Sequence, residues 1–217
     1  MPSLEELVAP GKAAILTMEM QRGVIGDLAT IRPLADLVAS QGIPERTGGL
    51  LEAARRRDVP VIHCRAGFRR DRRGSYPNVP MVNAMLKDPD YLVMGEPATD
   101  VIPELGPAET DLDSARLHGM SPFIGTELDP TLRSLGITTV IATGVSLNVG
   151  ILGMTIEAIN HGYHVILVTD CVTGYPPEYG EQVLQHSGVV PGCAFKVTTV
   201  GMDLFVDLNA QNLQCAR

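Results

Sequence analysis

The chain has 217 residues, a length that fits one domain with a sizeable core, so residues 1–217 are expected to fold as a single unit. A formal net charge of -8 argues against a nucleic-acid partner, because a phosphate backbone requires a basic footprint. Hydrophobic residues make up 45% of the chain, yet no apolar run reaches the roughly 18 residues of a membrane span, so no membrane association is expected.

The start, MPSLEELVAPGK, carries acidic residues and no basic flank before an apolar stretch, unlike a secretory signal, and the expected location is the cytoplasm. The four cysteines, Cys64, Cys171, Cys193 and Cys215, form no CxxC pair and show no spacing with histidine of the kind zinc sites use. They read as reduced thiols, and neither a metal nor an organic cofactor is expected.

In chain order, short β-branched runs alternate with helical patterns, which points to a parallel sheet covered on both faces. Strands are expected at 13–18, 59–64, 139–143, 163–169 and 195–199, with a sixth between Leu112 and Leu117. Helices are expected at 44–57, with Pro44 in the first turn and a basic last turn, and at 127–135, 148–161 and 177–185. Gly136 and Gly162 are placed to end two of them. The Gly48-Gly49 pair weakens the first helix. The segment 65–107, rich in Gly, Pro and charge, is too long for a passive connection; it is expected to be partly helical near 79–86 and partly a lid. The fold class that follows is a three-layer α/β/α, Rossmann-like, doubly wound six-stranded parallel sheet.

In such sheets ligands gather beyond the carboxyl ends of the strands, near the point where strand order reverses. That rule selects Glu19, then His63 and Cys64, Leu117 and His118, the turn 144–150, and Asp170 with Cys171. Glu19 follows an apolar run, where an ionised carboxylate must be paired or face a polar cleft, so it is either catalytic or bonded to nearby amides. His118 is the second catalytic candidate, against a reading as a surface histidine. The turn GVSLNVGILG runs from a strand end into a helix start, where backbone N–H groups favour an anionic oxygen. Ser146, Asn148, Val149 and Gly150 are therefore substrate-binding candidates. Arg65, nearest the strand in the basic run RAGFRRDRRG, is a candidate carboxylate clamp, although most of that run reads as a solvated loop. Cys64 and Cys171 read as buried hydrophobes rather than nucleophiles.

The segments ILTMEMQRG, LHGMSPFIGTELD, ATGVSLNVG and VTDCVTG together resemble the isochorismatase-like hydrolase superfamily, also called the cysteine hydrolases. The resemblance covers nearly the whole chain. It implies the doubly wound fold, frequent homo-oligomers and hydrolysis of a small-molecule substrate. That family works with Asp, Lys and a nucleophilic Cys, and the matching positions here are Glu19, Leu117 and Gly150. It also implies an oxyanion hole in the turn, near Val149 and Gly150, and a cis peptide between Val145 and Ser146. The true isochorismatases also resemble the cysteine hydrolases with Gly in place of Cys; they cleave a vinyl ether by proton delivery to carbon and keep the Lys. With Leu117 in the cation's place, Glu19 is expected to lack a neighbouring charge and to favour its protonated form. The expected function is a hydrolase without a cysteine nucleophile, with Glu19 as general acid or base, acting on a vinyl ether or related bond. The alternative is a non-catalytic ligand-binding or scaffold protein on the same fold.

Overall fold

The computed structural model describes residues 2–186 and 195–197. Six parallel strands form one sheet: β1 (Ala13–Met18), β2 (Val61–Ala66), β3 (Leu112–Arg116), β4 (Thr139–Gly144), β5 (His164–Val172) and β6 (Phe195–Val197). Their order across the sheet is β3-β2-β1-β4-β5-β6. Chain direction through the sheet therefore reverses between β1 and β4, the two central strands. The expected strand at 195–199 is present over Phe195–Val197, and its last two residues, like Cys193 and Cys215, lie outside the described residues.

Every residue of β1 is buried, as expected for a central strand with helices on both sides. Its side chains alternate between two cores. Ile15 packs with Val61, Ile141 and Ile166 beneath α1 (Leu4–Leu7), α2 (Arg32–Ser40) and α3 (Ile43–Arg55). Leu16 and Met18 pack with Ile62, Val140 and Leu167 beneath α5 (Leu128–Ser134), α6 (Leu152–Asn160) and α7 (Pro177–His186). A further helix, α4 (Pro80–Lys87), lies in the long segment after β2, where helix near 79–86 is expected, and buries none of its residues. Helices α1 and α2 are additions to the sequence reading.

Two glycine readings resolve in opposite ways. Gly136 and Gly162 adopt φ of 72° and 87° just past α5 and α6, as helix-ending residues should. Gly48 instead sits mid-helix because a Cβ there would lie 2.2 Å from the Glu104 carbonyl oxygen. The gain is close approach between α3 and the turn at Pro103–Leu105, and that packing outweighs glycine's poor helix propensity.

β3 ends at Arg116, one residue before the expected limit, so Leu117 and His118 lie beyond the strand. The first part of the expected helix at 148–161 is a wider turn over Leu147–Ile151, in which the Ile151 N–H reaches the Ser146 carbonyl, five residues back, at 3.0 Å.

Candidate active site

Beyond the carboxyl ends of β1 and β4, at the reversal point, lies a cavity of about 270 Å³. Of the strand-end residues selected from the sequence, His63, Cys64, Asp170 and Cys171 do not line it, while Glu19, Leu117, His118, Ser146, Asn148, Val149 and Gly150 do. Arg65 is not among them. It pairs with Asp113 (2.7 Å from Nη2) and donates from Nη1 to the Thr99 carbonyl at 2.8 Å, tying β2 to β3 and to the long segment. The clamp expected of Arg65 is corrected on that ground: alternation along β2 turns its side chain away from the cavity, and its donors are taken. Its neighbours Arg69 and Arg70 pair with Asp71 and Glu96, and Arg72 donates from Nη1 and Nη2 to the carbonyls of Tyr91 and Asp88.

The EMQ segment after β1 places three side chains in three environments. Glu19 has φ of 52°, a left-handed conformation that costs a non-glycine residue about 1–2 kcal/mol. Its N–H donates to the Cys64 carbonyl at 2.9 Å, and its own carbonyl accepts from Gln21 N–H at 2.8 Å, which bends the chain sharply. The carboxylate thereby faces the cavity, while Met20 enters the core. Gln21, fully buried, accepts from Ala66 N–H at 2.8 Å and donates to the Ala66 carbonyl at 2.8 Å, bolting the bend to the end of β2.

The partner of Glu19 is Arg116, whose Nη2 donates to Glu19 Oε1. Arg116 also donates from Nε to the Gly119 carbonyl at 3.1 Å, and among the described residues its buried Nη1 has no hydrogen-bond partner. The expectation that Glu19 lacks a cation is therefore overturned. Motif matching placed the cation at Leu117, an apolar wall residue of the cavity, whereas β3 delivers one from the preceding position. Pairing with β2 sets Arg116 opposite Ala66, and Ser114 and Arg116 share one face of the strand. A strand-terminal arginine next to the matched position was the signal available in the sequence.

Tyr91, also missed, lines the cavity. Burial, with the negative charges of Glu19 and Asp88 adding to it, pushes its phenol up to about 12, so it stays a proton donor near neutrality. His118 packs its ring on Tyr76, centroids 4.8 Å apart.

The turn after β4 contains the expected cis peptide between Val145 and Ser146. Ser146 Oγ donates to Asn148 Oδ1 at 2.5 Å. The Val149 N–H donates to the Ser146 carbonyl at 3.0 Å, so it does not offer the free oxyanion donor expected there. Nor does Gly150 open room for a ligand. A Cβ on Gly150 would lie 2.8 Å from Met18 Cε and 3.2 Å from Met18 Cγ, so the methionine occupies the space beside it.

Cys64 and Cys171 are both fully buried, and burial pushes each thiol up to about 12. Neither lines the cavity. Among the described residues, no cluster of three or more His, Cys, Asp or Glu side chains is placed to hold a metal ion, and no helix is long and apolar enough to cross a membrane.

A cavity lined by Glu19, Arg116 and apolar side chains, set at the reversal point of a doubly wound sheet, lies where α/β proteins of this class hold their ligands. Residues 13–193 match the Isochorismatase domain, and the chain belongs to that family of isochorismatase-like hydrolases. It is 31% identical over 86 residues, 40% of this chain and 45% of the other, to the uncharacterized isochorismatase family protein YwoC of Bacillus subtilis. It is 26% identical over 128 residues, 59% of this chain and 58% of the other, to maleamate amidohydrolase of Pseudomonas putida. The matches thus span about half the length of these two curated relatives. Among solved structures, a cysteine hydrolase from Pseudomonas syringae pv. phaseolicola shares the fold, with a TM-score of 0.74, 23% identity, and coverage of 89% of this chain and 92% of that one.

Proposed function

We propose that this chain is a hydrolase that cleaves a vinyl ether or related bond in a small molecule without a cysteine nucleophile, with Glu19 as its proton-transfer group. The observation that carries this reading is the placement of Glu19 in the cavity lining beside Arg116, while residue 150 has no side chain and both described thiols are buried elsewhere. In such a reaction Glu19 gives its proton to the terminal vinyl carbon, leaving an oxocarbenium ion. Water adds to that ion, and the resulting hemiketal breaks to a carbonyl compound and an alcohol, returning one proton to Glu19. No covalent enzyme intermediate is needed. Tyr91 and His118 are further proton donors on the cavity wall, and Asn148 and Ser146 are polar contacts for the substrate.

The test is a panel of vinyl ethers, amides and lactones assayed with wild type and Glu19→Gln. The variant is expected to keep the fold and to lower turnover of the accepted substrate by at least about a hundredfold, the scale of losing a general acid. A Glu19→Gln protein that turns over at the wild-type rate would sink the mechanism. Binding without turnover of any compound would favour a non-catalytic ligand-binding protein.

A further inference from the structure

We infer that the cavity takes a carboxylate with an apolar body, and that Arg116 exchanges Glu19 for the ligand's carboxylate, so that one proton from solvent is bound by Glu19 for each ligand taken up. This rests on the reading of Glu19 as a proton-transfer group and names the substrate class for it.

Three observations lead there. First, the Arg116 side chain is only 5% exposed and spends Nε on the Gly119 carbonyl and Nη2 on Glu19, leaving Nη1 buried with no acceptor among the described residues. A guanidinium N–H withdrawn from water and left unbonded is costly, and a ligand oxygen removes that cost. The planar fork also matches a carboxylate better than it matches a lone carbonyl. Second, the rest of the cavity asks for a hydrocarbon: Leu34, Phe68, Met81, Met85 and Leu117 line it, the two methionines coming from α4. Methionine side chains adapt to apolar bodies of varied shape.

The third observation is charge. The titratable or charged groups lining the cavity are Glu19, Arg116, His118, Tyr91 and Tyr175. Among the described residues that line it, Arg116 is the one fixed cation and Glu19 the one carboxyl. A second carboxylate brought to Arg116 would leave two anions facing one cation in a half-buried site, and like charges so close do not both persist. Protonation of Glu19 resolves the conflict. The same proton then stands ready for delivery to the substrate.

Calorimetry with hexanoate, hexanamide and hexanol on the full chain tests the proposal. Hexanoate should bind at pH 6 at least about tenfold more tightly than hexanamide, a difference of ~1.4 kcal/mol, and its affinity should fall as pH rises toward 8. Titration in buffers of differing ionisation enthalpy should show uptake of about one proton per hexanoate and none for hexanol. Arg116→Lys should lose most of the preference for the carboxylate. Since that variant removes a buried guanidinium and could fail to fold, Glu19→Gln provides a second reading. With no carboxylate competing for Arg116, it should bind hexanoate at least about tenfold more tightly than wild type at pH 7.5, without proton uptake. Equal affinity for acid and amide, no binding of hexanoate, or unchanged affinity in Glu19→Gln overturns the carboxylate assignment, while the hundredfold effect of Glu19→Gln on turnover would still stand or fall separately. Hexanoate binding without proton uptake overturns the exchange.

Discussion

Met18 and Gly150 occupy one space between them: a side chain at 150 would begin 2.8 Å from the methionine's terminal methyl. Met18 is fully buried at the end of β1, one residue before Glu19, so the site that a nucleophile would need is packed with hydrocarbon. Gly150→Ala is therefore expected to destabilise by about 1–2 kcal/mol through overpacking, against Met18 on one side and the Val145 carbonyl oxygen, 3.1 Å away, on the other. Combined with Met18→Val, it should cost less than the sum of the two single changes by at least about 0.5 kcal/mol. Urea unfolding of the four proteins measures this, and strict additivity would mean that the two positions do not share the space.

Thiol chemistry is expected to be idle in the folded state. Replacing Cys64 and Cys171 together by Ala should leave turnover of any accepted substrate within about tenfold, because burial keeps both thiols protonated near neutrality. Iodoacetamide at neutral pH, followed by peptide mapping, should leave both residues unmodified. Rapid labelling of either one, or a thousandfold loss in the double variant, would identify a displaced nucleophile.

His63 forms a buried chain with Thr17 (2.8 Å from Nδ1) and Asp111 (3.1 Å from Nε2), and Asp111 also accepts from Arg55 and from the Ala108 N–H. With Asp111 as the anion, Nε2 carries the proton and Nδ1 accepts from the threonine hydroxyl. Burial, the largest influence, lowers the His63 pKa; Arg55 works the same way, and Asp111 opposes them. A depressed histidine is neutral in the folded protein while its unfolded counterpart binds a proton below about 6.5, so its contribution is complete above that pH and is lost as pH falls toward the folded value. The stability gap between wild type and His63→Gln should therefore narrow between pH 7 and pH 5. A gap that widens over that range would contradict the assignment.

Gly48 offers a test of the fold alone. Gly48→Ala improves helix propensity by about 1 kcal/mol, yet it should destabilise the protein by at least ~1–3 kcal/mol because a Cβ would meet the Glu104 carbonyl oxygen at 2.2 Å. Thermal melts of Gly48→Ala against wild type measure the difference. A Gly48→Ala protein as stable as wild type would require α3 to move off the Pro103–Leu105 turn.

Sequence alone determined the sheet and the cavity's address. The strand runs of β1, β4 and β5 are continuous and apolar because both their faces are covered, and that pattern survives without knowledge of neighbours. The helix-ending glycines and the placement of Glu19 at a strand end follow from local backbone chemistry in the same way. The cation was a different matter. Whether Leu117 or Arg116 faces Glu19 depends on where β3 stops and how it pairs with β2, a choice between neighbouring residues that reverses which side chain meets the site. Whether Gly150 leaves a hole depends likewise on Met18, more than 100 residues away in the chain. Arg65 and Arg116 are both arginines at strand ends, and only the packed sheet turns one toward Asp113 and the other toward Glu19. Periodicity reports which residues are buried, while the partner of a buried charge is fixed by side chains that meet only after the strands have paired.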